Sequence, residues 1–263
     1  MSPEPEKRTL KITIAYDGTR LVGWQRQRDG DSVQGLLEDV LAKFEGAPVT
    51  VHGAGRTDAG VHALAQVASV RLSAQHPTAT LVPAINAHLP GDVRVLSVEE
   101  APAAFHARFS STGKTYRYYL CTDAVSSPFG RLYSWHLPEP MDLAAMQRAA
   151  AALIGTHDFS AFRSAGSDTS SPVRTIHRAS FTPGIAPPSL LEPASAGGWL
   201  GFEIAGDGFL RHMVRAVAGT LVEIGRGWRD GSTMESLVSG GTRAQAGMTA
   251  PPHGLFLVRV DYD

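Results

Sequence analysis

The chain has 263 residues, 43% of them hydrophobic and 19% charged, with a formal net charge of -1. That length and apolar content suit one large domain or two small ones and exclude a disordered or fibrous chain. No apolar run approaches the roughly 18 residues of a membrane span, and MSPEPEKRTLK lacks the apolar core of a signal peptide, so a cytoplasmic protein is expected.

Lys11 to Asp17 alternates as a strand with Ile12 and Ile14 on one face. Ser32 caps a helix whose stripe is Val33, Leu36, Leu37, Val40, Leu41 and Phe44. Val49 to Gly53 and His62 to Leu72 read as strands, Thr78 to Leu89 as a short helix stopped by Pro90-Gly91, and Val93 to Glu99 as another strand. Lys114 to Cys121 opens a second half. A helix then runs from an Asp142 cap to Gly155, followed by strands near Asp158 to Phe162 and Thr175 to Phe181. Thr182 to Gly198, rich in proline, glycine, alanine and serine, is expected to be a loop insertion, either a surface loop or a hairpin extension. Trp199 to Ala205 returns to strand. Gly208 to Gly225 is expected to be one basic helix, on which Arg211 and Arg215 share a face, and Leu255 to Val260 closes the chain as a strand. The same strand-and-helix grammar occurs twice, which predicts an α+β fold with a largely antiparallel sheet, divided into residues 1–108 and 109–263.

Chemistry concentrates in GAGRTDAGVHALAQ, Gly53 to Gln66. Asp58 sits on a loop entering a strand, two residues from Arg56, and Ala59-Gly60 lets the backbone turn tightly and a bulky ligand approach. A nearby guanidinium favours the ionised carboxylate, which suits a nucleophile or general base and suits a plain salt bridge equally well. Cys121 alone gives no intramolecular disulfide and reads as a small strand residue, and the ten histidines lack the close spacings of zinc sites, so no metal is expected. Net charge argues against a nucleic-acid partner. Against that, twenty of the cationic residues are arginine and four are lysine, several arginines crowd into the motif blocks, and arginine binds phosphate bidentately and stacks on bases. A basic groove on a neutral body is therefore expected.

Six blocks in order resemble those of the tRNA pseudouridine synthase A family. They are YDGT with GWQRQ (Tyr16 to Gln27), the Asp58 string, FHARFSSTGKTYRYYL (Phe105 to Leu120), HDFSAFR (His157 to Arg163), GFLRHMVRAVAGTLVEIG (Gly208 to Gly225) and HGLFLVRVDY (His253 to Tyr262). The resemblance implies two RNA-recognition-motif-like, ferredoxin-like halves that share a central sheet flanked by helices, with a catalytic cleft between them. It implies isomerisation of uridine to pseudouridine at positions 38, 39 and 40 of the tRNA anticodon stem-loop, by base flipping, in a homodimer, with no cofactor.

By the same resemblance Asp58 is the nucleophile, and Arg56 enters the stem as the target nucleotide leaves it. Tyr116 stacks on the uracil, Arg215 pairs with the catalytic aspartate, Leu255 lies under the base, and Phe105, His106 and Arg108 line the RNA cleft. The residues alone allow other roles. Tyr116 and Tyr118 could form a buried aromatic row, Arg215 could be a surface helix residue, and Leu255 could pack in the core. Family members often have asparagine where this chain has Ala216. Two other classes compete: a non-catalytic tRNA-binding or folding module, and an aspartyl hydrolase, which fails because a second Thr-Asp-x-Gly is missing.

Overall fold

A computed structural model describes residues 7–164, 171–188 and 198–263. In chain order its elements are β1 (Arg8–Tyr16), α1 (Val33–Glu45), β2 (His52–Gly53), β3 (His62–Leu72), α2 (Thr78–Asn86), β4 (Val93–Ala101), β5 (Ser111–Cys121), β6 (Trp135–His136), α3 (Leu143–Ala151), β7 (Gly155–Asp158), β8 (Val173–Pro183), β9 (Trp199–Gly206), α4 (Met213–Gly225), α5 (Thr233–Val238) and β10 (Leu255–Tyr262). Short 3-10 turns cover Gly18–Arg20, Ser160–Phe162 and Pro252–Gly254. The fold is α+β, with largely antiparallel pairing and flanking helices. It divides into two compact units, Met1–Thr112 with Leu257–Asp263, and Gly113–Phe256. The last strand is thus counted mostly with the first unit, although sequence order places it in the second half.

In the first unit β1 is the hub. It pairs antiparallel with β3 on one side and β4 on the other, in the order β4-β1-β3-β10, and β2 adds two residues to the edge of β3. Its alternation decides which face is covered: Leu10, Ile12, Ile14 and Tyr16 are buried. Helix α1 starts where Ser32 accepts a hydrogen bond from the Gly35 N–H and stops at Gly46, whose φ of 73° is the left-handed geometry of a helix end. Its buried stripe is Val33, Leu37, Val40 and Leu41. Of the expected strand from Val49, His52 and Gly53 pair with β3, while the Val51 N–H donates to Glu38 and its carbonyl accepts from Gln34, both on α1.

In the second unit the order is β5-β9-β8-β7, all antiparallel, with β6 parallel to the end of β5. Asp142 caps α3 by accepting from the Ala145 N–H, and α3 lies against β8 and α4. Tyr118, Tyr119, Phe159, Phe162 and Phe202 form the bulk of this core. Cys121 is fully buried, and burial pushes its thiol pKa up. Two expected elements differ. Asp158 to Phe162 is the end of β7 followed by a 3-10 turn, since Asp158 accepts from the Ser160 N–H and turns the chain. The helix expected from Gly208 begins at Met213, so Arg211 lies outside it. His212 precedes the helix at φ 61°, the left-handed conformation, and is the one non-glycine residue with positive φ among the described residues. Of the expected insertion, Thr182 and Pro183 extend β8, and 189–197 lie outside the described residues.

Two buried phenols, Tyr16 and Tyr118, and the half-buried Tyr262 make the fold sensitive to alkali. Burial raises Tyr16 from an ordinary 10 to about 12, and raises Tyr118 and Tyr262 in the same direction. A pKa raised on folding contributes stability that is present below the unfolded value and lost as pH rises through the folded one. Denaturant unfolding should therefore show stability falling from pH 10 to about 12, by about 3 kcal/mol for Tyr16. An unchanged unfolding midpoint across that window would contradict the burial of Tyr16.

Candidate active site

The Asp58 loop connects β2 to β3, and its tip is a tight turn in which the Val61 N–H donates to the Asp58 carbonyl at 3.1 Å. Gly60 sits within that turn at φ 78°, where an L side chain would be strained. Asp58 is half-buried, Arg56 is exposed and Thr57 between them is buried. Thr57 thus anchors the loop inward between an exposed arginine and a half-buried aspartate.

That anchor is polar. The Tyr16 hydroxyl, at the end of β1, lies 2.8 Å from Thr57 Oγ1, and Gln66 Nε2 reaches both the Tyr16 hydroxyl at 3.5 Å and the Gly55 carbonyl at 2.9 Å. Gln66 and Tyr16 are buried, so each polar atom depends on these partners. Backbone contacts complete the brace: Trp24 N–H donates to the Thr57 carbonyl at 3.0 Å, and Ala54 N–H to the Val67 carbonyl at 2.8 Å. Two glycines of the YDGT and GWQRQ blocks let the chain pass beneath. A Cβ on Gly18 would lie 2.1 Å from the Val61 carbonyl oxygen, and one on Gly23 would lie 2.6 Å from that of Thr57. The Trp24 ring fills the space against Gly53, where a Cβ would come within 2.3 Å of it. Beside the turn, buried His62 places Nδ1 3.1 Å from the Gly18 N–H and 3.2 Å from Asp17 Oδ1. Sequence patterns alone did not single out Tyr16, Gly18, Gly23, Trp24 or Gln66. Their signal was two glycines and a tryptophan near the chain start, in the YDGT and GWQRQ blocks, with nothing local for them to do.

Arg108, exposed on the turn after β4, also belongs to the first unit, and its guanidinium is 5.6 Å from the centre of the Phe109 ring. Phe105 packs 5.1 Å from Tyr262. Burial holds the His106 imidazole below its ordinary pKa, with His52 and Arg108 pushing the same way.

The other expected residues lie in the second unit. Tyr116 is only 7% exposed, and Phe209 meets its ring at 5.1 Å in a near-perpendicular arrangement. Tyr118 is fully buried and donates its hydroxyl to the Pro251 carbonyl at 2.7 Å, a core role. Arg215 is half-buried on the first turn of α4. Its Nε donates to the Ala250 carbonyl at 2.8 Å, and Ala250 N–H returns a bond to the Arg215 carbonyl at 3.0 Å. It is therefore tied down at one nitrogen rather than being a loose surface arginine. Ala216, one residue on, faces the core. His253 is held below its ordinary pKa by burial, with Arg215 adding to the effect. Leu255, just past the Pro252–Gly254 turn, is buried. Among the described residues no group of three or more histidine, cysteine, aspartate or glutamate side chains is placed to hold a metal ion, and no helix is long and apolar enough to cross a membrane.

An α+β chain with a braced aspartate loop of this sequence belongs with the enzymes that isomerise uridine in RNA. The profile of a family described as tRNA pseudouridine synthase matches residues 12–110 and 149–263, and leaves out the segment carrying Tyr116. The chain belongs to that family, whose members are isomerases. It is 41% identical over 253 residues to a protein of Syntrophotalea carbinolica, covering 96% of each chain. A protein of Myxococcus xanthus is 43% identical over 253 residues, 96% of this chain and 91% of its own. One from Moorella thermoacetica is 42% identical over 255 residues, 96% of this chain and 99% of its own. All three relatives are named tRNA pseudouridine synthase A.

Proposed function

We propose that this chain converts uridine to pseudouridine at positions 38, 39 and 40 in the anticodon stem-loop of tRNAs, with Asp58 as the nucleophile. The observation that carries this reading is the bracing of the Asp58 loop by Tyr16, Gly18, Gly23, Trp24 and Gln66, with Asp58 itself half-buried. A reacting group works best when its supports fix it before substrate arrives.

The reaction moves one bond. The bond from uracil N1 to ribose C1′ breaks, the uracil turns while held, and C5 bonds to C1′. N1 gains a proton, C5 loses one, and nothing is oxidised or reduced. Balance is complete without a cofactor. Attack at ribose C1′ and attack at uracil C6 call on the same carboxylate. The target base must first leave its stack, at a cost of about a few kcal/mol that contacts to the backbone offset.

Exposed Arg56 is suited to filling the stem left by the flipped nucleotide, and exposed Arg108 to phosphate. From the second unit we assign Tyr116 to stacking on the uracil, Leu255 to the apolar floor beneath it, and Arg215 to binding the anionic substrate. In this division of labour the first unit carries the chemistry and the second adds substrate contacts. The enzyme works as a homodimer in the cytoplasm, and one tRNA spans both subunits.

The test is tritium release from tRNA labelled at uridine C5, with the modified positions then mapped. Release confined to positions 38, 39 and 40 is expected. Release at other uridines would overturn the site assignment, and binding without release would overturn catalysis on this substrate.

A further inference from the structure

Three rings of the first unit stand in a ladder that the Asp58 chemistry does not use. His52, on β2, lies 4.8 Å from His106, and His106 lies 4.5 Å from Phe109, with interplanar tilts of 32° and 36°. The core pair Phe181 and Phe202 has the same geometry, 4.8 Å at 35°, so it is exposure that sets the ladder apart. The ladder opens to solvent: His52 is exposed and Phe109 is 76% exposed.

The turn that holds two of the rings is firmly built. His106 N–H donates to Ser110 Oγ and Arg108 N–H donates to His106 Nδ1, each at 3.1 Å. Ala107 N–H donates to Ser69 Oγ at 3.0 Å, and the Ala107 carbonyl accepts from the Tyr262 hydroxyl at 2.7 Å. The rings are thus presented by rigid backbone, at little entropic cost to a ligand. An exposed aromatic on such a turn gains nothing for the fold.

Charge selects the occupant. Arg108 stands against the ladder, its guanidinium 5.6 Å from the centre of the Phe109 ring, and Arg56 follows His52 by four residues on the next loop. Flat rings beside arginines match a nucleobase with its phosphate. His52 is six residues before Asp58, so the ladder lies within about 20 Å of it along the chain, the reach of a few nucleotides.

We propose that His52, His106 and Phe109 form a stacking site for one unpaired base of the RNA substrate, flanking the target uridine, with Arg108 on the adjoining phosphate. The site rests on the synthase reading and adds to it a second base-binding point outside the reacting one. Stacking accepts any base, so the site fixes register along the strand rather than sequence.

An anticodon stem-loop RNA carrying a single 2-aminopurine, moved through the unpaired positions one RNA at a time, tests this at fixed salt. The wild type should quench the probe at one position. Phe109→Ala should lose that quench and raise Kd about tenfold, the scale of one lost stacked base, and His52→Ala should act in the same direction. Phe109→Tyr should restore both readouts, which a merely structural role would not predict of the quench. Unchanged quench and Kd in Phe109→Ala, with wild-type tritium release intact, would overturn the stacking site and leave the synthase reading standing. Absence of wild-type release and binding would overturn both.

Discussion

Asp58→Asn should bind tRNA and release almost no tritium from uridine C5. The substitution keeps the size and shape of the side chain and removes its charge and its nucleophilic oxygen pair. Removing a nucleophile costs about 10⁴-fold or more in rate where the rest of the site survives. The loop should survive. The turn at its tip is closed by the Asp58 carbonyl accepting from Val61, and its base by Thr57, Gly55 and Ala54, none of which uses the carboxylate. Stability should stay within the about 0.5–3 kcal/mol of an ordinary point substitution, and Kd for tRNA should stay within a few-fold. Single-turnover tritium release against wild type, with Kd measured on the same preparations, checks each part. Retention of more than a small fraction of the wild-type rate would remove Asp58 from the chemistry. Loss of binding together with rate would instead make it a loop-forming residue.

Much of the frame was legible because it depends on local pattern. The Ile12, Ile14 alternation and the Ser32 cap with its stripe need only near neighbours, and both stand where periodicity placed them. The start of α4 was not legible, since GFLRH continues the apolar spacing of the helix. What stops it is His212 in the left-handed conformation, with Ser164 Oγ 2.7 Å from its Nδ1, a contact from 48 residues away. The division of the site into chemistry and support was hidden for the same reason. Asp58 announced itself through Arg56 and Gly60 beside it, but the meaning of Gly23 depends on residues 57 to 59, and of Tyr16 on Thr57 and Gln66. Burial of Tyr116 was a stated alternative from its strand spacing, whereas its perpendicular contact with Phe209 required the folded chain.

Gly23→Ala should damage the Asp58 loop more than the rest of the protein. Gly23 has φ 103°, which strains any L side chain, and the added methyl would sit 2.6 Å from the Thr57 carbonyl oxygen, 3.0 Å from the Asp58 carbonyl carbon and 3.1 Å from the Ala59 nitrogen. All three are backbone atoms, so no rotamer change relieves the clash. The loop must move outward, and that strains the Trp24 N–H to Thr57 carbonyl bond and the Tyr16 to Thr57 contact together. Strain and overpacking of this kind cost about 2–4 kcal/mol. A shift of about 1 Å in a reacting group costs about 10²-fold in rate, so kcat should fall by at least that much. KM for tRNA should change less than kcat, because Arg108 lies on a separate turn and β1 and β3 stay paired, while Arg56 moves with the loop. Tyr16→Phe supplies the graded comparison. It removes one buried hydroxyl and leaves Thr57 Oγ1 without that partner, at a cost of about 1–2 kcal/mol, while the backbone braces remain. Its kcat should fall between that of wild type and Gly23→Ala. Denaturant unfolding and steady-state tritium release on both variants measure the two effects separately. Equal kcat in all three proteins would mean that the bracing holds the fold alone and leaves the position of Asp58 to be set when tRNA binds.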